Sequence, residues 1–384
     1  MVLRDWVVTG RNAAMSTALG NNSITNCSGE NCQQNQPNQT NKIVDMVFLW
    51  LIIIVGIFGN SLVVTVVKVI RSMRTTTNYL LVNVAAADIT TLLFTAVHII
   101  SKSVNKYPSS PALLSFICKF IYSNSIVIVS LLVTSLTMTI LAFERYHALL
   151  KPLAMSGRLT TGNVAYVISA IWLVAIAMVT PIFVHMNYVP GAKLQCSNIV
   201  DLNGIVIYID CLFVILTIIP FLVIAFCYSQ IIYGLYFNNT ICNNKSERGD
   251  TQQETKEKKR LVILLILLTV VFFVAFIPYG IMIILNYNQI TNTITPYVQH
   301  YAQYLTLLSC SVNPFIYAFQ SSSYRRSFVF LIKKVFCRDT TVDAIELLEM
   351  RTRTSLRNAW FTDSCKDWWA FFARGAPPRS KSTL

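Results

Sequence analysis

Two parts of the chain place ionisable side chains among apolar residues. Asp88 lies within the apolar run Tyr79–Ile100, and Glu144-Arg145-Tyr146 closes another run of mostly hydrophobic residues. An ionisable residue at membrane depth is costly and by default has a function. A single buried acid suits one ion or one proton in a switch, and an acid beside an arginine lowers the cost of keeping the guanidinium near a membrane boundary. The alternative for the second place is an arginine–tyrosine pair that reaches out to a membrane–water interface.

The sequence contains no set of residues with the spacing of a catalytic site. It has no nucleotide-binding loop, no cluster of metal ligands and no nucleophile beside a base. The four histidines are scattered near predicted helix ends, at His98, His147, His185 and His300. A seven-span transporter or proton pump would need a relay of several charged groups in the membrane, and only Asp88 lies deep in an apolar run. The sequence therefore predicts that the protein is not an enzyme, and it disfavours a pump.

The composition indicates which solvent surrounds these residues. Hydrophobic residues make up 54% of the 384 residues and charged residues only 12%, whereas soluble proteins contain about 25% charged residues. Seven runs reach the length of about 20 residues that a membrane span needs. Spans one to seven are Val44–Val67, Tyr79–Ile100, Ser115–Phe143, Val164–Val184, Ile205–Tyr233, Leu261–Leu285 and Val298–Phe319. The predicted fold is an all-α membrane protein, a seven-transmembrane helix bundle with a short amphipathic helix on the inner surface after span seven.

The basic residues predict the orientation of the bundle. Of the 31 lysines and arginines, 24 lie on one side of the predicted membrane and seven on the other, and the richer side is cytoplasmic. Residues 1–42 are then an extracellular disordered segment with three glycosylation acceptors, Asn21, Asn26 and Asn38, and residues 43–338 form the seven-span domain. Residues 339–384 form a disordered cytoplasmic tail. The net charge of +14 needs no nucleic acid, because topology and attraction to anionic inner-leaflet lipid explain it.

Several short motifs occur one after another on the predicted spans. They are Gly59-Asn60, Asn83 through Asp88, Glu144-Arg145-Tyr146, Trp172, Pro220 with Tyr228, Pro278, and Asn313-Pro314-Phe315-Ile316-Tyr317. In that order and spacing the chain resembles the rhodopsin-like (class A) G-protein-coupled receptors, and in character the peptide receptors among them. The resemblance covers Lys42 to about Cys337, so that only the two tails lie outside it.

The resemblance implies a plasma-membrane receptor that converts binding of an extracellular ligand into activation of a heterotrimeric G protein. In the family, the acid matching Glu144 holds the arginine matching Arg145 at rest. On activation the arginine moves inward to meet the G protein and the tyrosines matching Tyr228 and Tyr317. The other implied switch residues are Tyr146, Phe276, Pro278, Asn313 and Pro314. Phe276 stands where the family usually has tryptophan. Arrestin and a receptor kinase are the implied partners of the Ser- and Thr-containing tail.

The resemblance also implies a central polar site, which in the family commonly holds a sodium ion in the inactive form. The matching residues are Asn60, Asp88, Thr134, Ser309 and Asn313. Oxygen-bearing side chains around one carboxylate suit a small hard cation, so we expect Asp88 to bind sodium as an allosteric ion and expect no other cofactor. The alternative is a hydrogen-bonded polar cluster without an ion.

The ten cysteines are interpreted by the side of the membrane on which they lie. Cys118 and Cys196 match the family disulfide. Cys118 lies 27 residues before Arg145, two more than is usual in the family, which predicts a shifted or locally bulged outer end of span three. Cys337 is a palmitoylation candidate. Cys27 and Cys32 either pair with each other or stay free, and Cys211, Cys227 and Cys310 are interpreted as small apolar fillers within spans.

The ligand is predicted to be a peptide. Val127 stands where amine receptors keep an aspartate, and Leu307 stands where opsins carry the retinal-linking lysine. The outer half holds nine tyrosines, whose large rings with polar tips suit a peptide, although an interfacial aromatic belt is the alternative for some of them. Tyr279 and Gln303 match pocket positions of the family and are, with Val127, the predicted ligand-pocket residues. A lipid or another small molecule is the alternative ligand class.

Two further expectations concern the inner side. Some family members hold span six to the arginine with an acid, but at the matching position, 20 residues before Pro278, this chain has Lys258. The resting Arg145 would then depend mainly on Glu144, which predicts measurable signalling without ligand. The last residues, Ser382-Thr383-Leu384, fit a C-terminal motif that PDZ domains bind, with an inert disordered end as the alternative.

Overall fold

The computed structural model describes residues 39–103, 109–150, 159–189, 195–198, 202–236, 252–288, 290 and 295–336. The three glycosylation acceptors, Cys27, Cys32, Cys337 and the PDZ motif lie outside these residues. Residues up to Val47 form one unit, and a second unit begins at Phe48. Of the first unit the structure describes the helix from Gln39, in which residues 43 to 47 are exposed.

The chain folds as seven spans followed by one further helix, as predicted. The spans keep their numbers and are Gln39–Val69, Thr76–Ser103, Pro111–Leu150, Val164–His185, Leu202–Phe213 continued by Ile219–Tyr236, Gln252–Tyr287, and Thr295–Gln320. The inner helix is Ser322–Phe336. Helices satisfy every backbone hydrogen bond within one segment, which a lipid environment requires. Among the described residues, five of these helices are by themselves long and apolar enough to cross a membrane.

The other two spans depart from a simple apolar helix for different reasons. Span five is divided by a π turn at Val214–Ile218, which lies just before Pro220. A proline inside a helix removes one backbone donor and clashes with the preceding turn, and a π turn is one way to absorb that clash. Span seven contains several polar residues, of which Thr306, Ser309, Ser311 and Asn313 are buried, and these residues lower its mean hydropathy.

Many large hydrophobic side chains are exposed on the surface of the bundle, as expected for helices that face lipid. Leu173, Val274 and Phe319 are among the most exposed large hydrophobic side chains. The main core extends along most of the bundle, from Leu80, Leu141 and Leu265 in the inner half to Tyr279 and Met282 in the outer half. Spans two and three pack along each other, as do spans six and seven.

The outer end of span three is bulged, as the spacing of Cys118 predicts. Cys118–Tyr122 form a π turn, and the backbone N–H of Ser123 donates to the carbonyl of Cys118 at 2.9 Å. Asn124 follows with a φ of 53°, a left-handed conformation that asparagine adopts more readily than most residues. The regular helix then restarts at Ser125. The bulge therefore absorbs the extra residues between Cys118 and Arg145.

A hairpin covers the outer end of this bulge. Met186–Val189 pairs antiparallel with Gln195–Asn198, and Tyr188 lies opposite Cys196. Cys196 is joined to Cys118 by a disulfide, which confirms the pairing implied by the family resemblance. The ring nitrogen Nδ1 of His98 lies 3.0 Å from the carbonyl oxygen of Ile121, so that the bulge is also held to span two.

Candidate functional site

At the inner end of span three, Arg145 is bound inside the bundle. Its Nε donates to Oε2 of Glu144 at 2.5 Å, and the two side chains are only 16% and 10% exposed. A second guanidinium nitrogen, Nη2, donates to the hydroxyl of Thr77 on span two, and Thr77 is itself buried. This arrangement disfavours the alternative of an arginine that merely reaches out to the interface, because such a side chain would be exposed and solvated.

The two tyrosines implied as partners of the activated arginine lie in the main core of the bundle. Tyr228 and Tyr317 are buried, and by strict geometry neither hydroxyl has a hydrogen-bond partner among the described residues, although the Tyr228 hydroxyl lies beside the side chain of Thr269. A buried hydroxyl without a partner is costly. Both groups are therefore available to accept or donate a hydrogen bond when another polar group moves in. Arg145 makes neither contact in this structure, so we interpret the arrangement as the resting one.

A polar bridge links three spans between the switch and the polar core. The indole Nε1 of Trp172 donates to Oδ1 of Asn83 at 2.9 Å, and Nδ2 of Asn83 donates to the hydroxyl of Thr137 at 2.8 Å. The bridge joins spans four, two and three, and both ends of the asparagine amide are used. Its contact on span three, Thr137, lies about two helical turns before Arg145.

The polar core lies at the middle of the bundle and centres on Asp88. The amide Nδ2 of Asn313 donates to Oδ2 of Asp88 at 2.7 Å, which joins spans two and seven. The thiol of Cys310 lies against the same carboxylate, so Cys310 is more than the apolar filler predicted from the sequence. Thr134 is buried in span three, and the hydroxyl of Ser309 donates to the carbonyl of Thr306 at 2.8 Å.

Asn60 connects span one to this core. Its Nδ2 donates to the carbonyls of Gly56 and Cys310, each at 2.9 Å. Its Oδ1 is buried and has no partner among the described residues. Spans one and seven can approach closely here because residue 59 is a glycine. A Cβ on Gly59 would lie 2.9 Å from Cγ of Pro314.

Toward the outside, a cavity of about 50 Å³ opens between spans three, four, five and six. Phe276 and Tyr279 line it, and Phe276 stacks on Phe272 with ring centroids 5.2 Å apart. The only polar side chains among its described walls are Thr217 and Tyr279. The remaining walls are apolar and comprise Ile128, Leu131, Leu132, Ile182, Ile209, Leu212, Phe213, Gly280, Ile283 and Ile284.

Only one of the three predicted pocket residues lines this cavity. Tyr279 does so, whereas Val127, which is buried in the same core, and Gln303, which is half-buried on span seven, do not. Phe213 and Gly280 line it although the sequence did not indicate them. A Cβ on Gly280 would lie 2.3 Å from Cε2 of Phe213, so the glycine lets the Phe213 ring close the cavity from span five. The sequence did contain a signal for this contact, namely a single glycine, Gly280, next to Tyr279 in an otherwise apolar helix.

The outer tyrosines separate into buried and exposed groups. Tyr279 is buried, whereas Tyr297 and Tyr301 are among the most exposed residues of the bundle, as an interfacial belt requires. At the rim, Nδ2 of Asn288 donates to Oδ1 of Asp210 at 3.3 Å, which joins spans five and six. Lys102 is exposed and Lys119 is half-buried, so the described rim also offers positive charge.

Comparison with known proteins agrees with this geometry. The family model described as 7 transmembrane receptor (rhodopsin family) matches residues 59–317. The chain is 29% identical to galanin receptor type 1 of Homo sapiens, over 84% of this chain and 91% of that receptor. It is 25% identical to the pyroglutamylated RF-amide peptide receptor of Mus musculus, over 76% and 70% of the two chains. It is also 26% identical to melanopsin of Rattus norvegicus, over 72% and 58%.

The chain belongs to the rhodopsin family of seven-transmembrane receptors. It is therefore a multi-pass membrane receptor, and this family consists of signalling receptors rather than enzymes.

Proposed function

We propose that this receptor binds a peptide on its extracellular side and in response activates a heterotrimeric G protein in the cytoplasm. The observation that carries the proposal is the inner switch, in which Glu144 and Thr77 hold Arg145 while the buried hydroxyls of Tyr228 and Tyr317 form no hydrogen bond by strict geometry. The charge asymmetry of the loops supports a plasma-membrane orientation with the N-terminus outside.

The chemistry of the outer half supports a peptide. Two receptors that the chain resembles are named for galanin and for an RF-amide peptide. Melanopsin is also similar, but Leu307 is buried where opsins carry the retinal-linking lysine, so retinal cannot form its usual imine here. The cavity has apolar walls, and the described rim carries Lys102 and Lys119 against Asp210, whose carboxylate accepts a hydrogen bond from Asn288. This combination suits a peptide with an apolar side chain at the buried end and an acidic group or free carboxylate at the rim.

The ligand class is tested by a screen in cells that express the receptor with a promiscuous G-protein reporter. The panels are neuropeptides, lipids and biogenic amines at matched concentrations, and cells without the receptor are the control. A peptide should be the potent agonist. A potent lipid or amine, with the peptide panel inactive, would show that the peptide assignment is wrong.

Pocket variants locate the binding site for the agonist that this screen identifies. Tyr279→Ala should lower agonist potency by about tenfold or more, because it removes a buried ring that lines the cavity, and Gln303→Ala should lower potency to a smaller extent. Tyr301→Ala is the matched control, since Tyr301 is 66% exposed. Dose–response curves at equal surface expression measure the effect. Equal potency of the Tyr279 and Tyr301 variants would place the ligand elsewhere.

We further propose that Asp88 binds a sodium ion in the resting receptor. The donor set fits a hard cation, because Asp88 is a buried carboxylate and Oδ1 of Asn60 is buried without a partner. Asp88, Asn60, Thr134, Ser309 and Asn313 would supply the oxygen ligands. When bound, the ion would stabilise the charge of Asp88 against burial.

Thermal unfolding tests the ion site without any agonist. Replacing potassium by sodium should raise the Tm of the purified receptor by about 3 °C. Asp88→Asn should abolish this difference, whereas Asp45→Asn, which removes an exposed carboxylate at the outer end of span one, should preserve it. A wild-type Tm that is the same in both salts would favour the polar cluster without an ion.

The two tails are proposed to carry modifications and additional partners. Glycans would be attached at Asn21, Asn26 and Asn38, and a palmitoyl group at Cys337. Residues 339–384 would be phosphorylated by a receptor kinase and bind arrestin, and Ser382-Thr383-Leu384 would bind a PDZ domain. The basic inner surface would attract anionic lipid.

A further inference from the structure

The first turn of span two holds two neighbouring side chains in fixed positions. The hydroxyl of Thr75 accepts a hydrogen bond from the backbone N–H of Asn78 at 3.2 Å, which caps the helix. The side-chain Nδ2 of Asn78 donates to the carbonyl of Met73 at 2.7 Å. Thr77 is 4% exposed. Local hydrogen bonds therefore position Asn78, and packing within the bundle buries Thr77.

Thr77 binds Arg145, the central residue of the inner switch. Its hydroxyl accepts a hydrogen bond from Nη2 of Arg145. Glu144 precedes Arg145 on the same helix, so that ion pair cannot by itself hold span three to a neighbouring span. The bond to Thr77 does so, and it has a charged donor, which makes it stronger than a bond between neutral groups.

Asn78 is connected to Tyr317, another residue of the switch, through Tyr324 on the inner helix. The hydroxyl of Tyr324 donates to Oδ1 of Asn78 at 3.2 Å, and the Tyr324 ring stacks on Tyr317 with centroids 5.2 Å apart and planes 27° apart. Both rings are buried. Burial raises the pKa of Tyr324, so its hydroxyl stays protonated and can donate. The amide of Asn78 is thus used at both ends, by Met73 and by Tyr324.

We propose that Thr77 and Asn78 form a clamp that holds the receptor in its resting state by binding Arg145 and, through Tyr324, Tyr317. The inference rests on the proposed role of Arg145 in G-protein activation. For Arg145 to reach Tyr228 and Tyr317, its bond to Thr77 must break, and for Tyr317 to turn toward Arg145, its stack on Tyr324 must open. The clamp acts from span two. In receptors with an acid at the inner end of span six, the arginine is held from span six instead, and this chain has Lys258 there.

Ligand-independent nucleotide exchange tests the clamp and requires no agonist. Purified receptor variants are reconstituted in lipid nanodiscs at equal amounts, and exchange is measured with a panel of purified heterotrimers. Thr77→Val keeps the shape of the side chain and removes the hydroxyl, so basal exchange should rise about tenfold, as expected for loss of a charged hydrogen bond. Tyr324→Phe keeps the stacked ring and should raise basal exchange roughly fivefold. The double variant should exceed both.

Matched controls separate the clamp from general damage to the fold. Thr77→Ser restores the hydroxyl and should bring basal exchange well below the Thr77→Val level, as a rescue of the bond to Arg145. Tyr166→Phe removes a hydroxyl from a tyrosine that is 78% exposed and should match the wild type. A structural defect would lower both the yield of folded receptor and its exchange rate, whereas loss of the clamp raises the exchange rate.

Two results would overturn different parts of the inference. The first result is that Thr77→Val and the double variant show basal exchange at or below the wild-type level while Arg145→Ala still lowers exchange. This result would refute the clamp and leave the G-protein role of Arg145 intact. Exchange that is unaffected by Arg145→Ala in every background would refute that role, and the clamp with it.

Discussion

Replacing Arg145 with alanine should abolish G-protein activation while leaving surface expression and ligand binding close to wild type. The guanidinium is bound by Glu144 and Thr77 at the inner end of span three, about four helical turns from Leu131, which lines the cavity on the same span. The variant loses every charge-assisted hydrogen bond that the activated arginine would make. We expect agonist-stimulated exchange to fall at least about 100-fold.

A lysine at position 145 distinguishes the role of the positive charge of Arg145 from the role of its planar guanidinium group. Arg145→Lys keeps the charge but cannot donate from two nitrogens in a fixed plane, so we expect partial activity at most. Arg326→Ala is the matched control, because Arg326 is exposed on the inner helix and donates to the carbonyl of Ser322 on that helix. Normal exchange in Arg145→Ala would refute the assigned role.

Loss of the disulfide should have the second large effect. Cys118 and Cys196 are 78 residues apart in the chain, and closing a loop of this length stabilises a protein by about 4 kcal/mol in the chain-entropy account. Cys118→Ser should release the hairpin from the bulge of span three. We expect most of the receptor to be lost from the cell surface and the remainder to respond weakly to agonist.

Three comparisons show whether the bond itself is responsible. Cys196→Ser and the double variant should behave like Cys118→Ser, because each removes the same bond. Cys211→Ser removes an exposed free cysteine and should be neutral. Surface labelling and agonist response measure the effects. Wild-type behaviour of both single variants would contradict a structural role for the disulfide.

The fold was predictable because the membrane restricts which structures are possible. Long apolar runs in lipid must be helices, and the seven predicted runs correspond to the seven spans. The bounds differ where polar residues extend a helix. Span two begins at Thr76 rather than near Tyr79, because Thr75 caps it through the N–H of Asn78. The bulge after Cys118 was predictable from spacing, whereas the π turn at Val214–Ile218 was not, because Pro220 fixes a distortion but not its form.

The candidate site was predictable where a residue is unusual for its surroundings. Asp88 and Arg145 stand out because charges are rare in apolar runs, and the family resemblance supplied their partners. Thr77, Asn78 and Cys310 gave no such signal, because polar side chains of this size occur throughout membrane helices. Their importance comes from how the helices are rotated and packed, which brings Thr77 to Arg145 and Cys310 to Asp88. Val127 and Gln303 were predicted from position alone, and neither lines the cavity.

The central claim is that a peptide bound outside the membrane causes nucleotide exchange inside it through Arg145. The direct measurement uses purified receptor in lipid nanodiscs with a purified heterotrimer, to which the peptide identified by the screen is added over a range of concentrations. Exchange should rise in a saturable manner with peptide concentration, and the rise should be absent in Arg145→Ala at unchanged peptide binding. Saturable peptide binding with no change in exchange for any heterotrimer, or an undiminished rise in the Arg145→Ala receptor, would contradict the account.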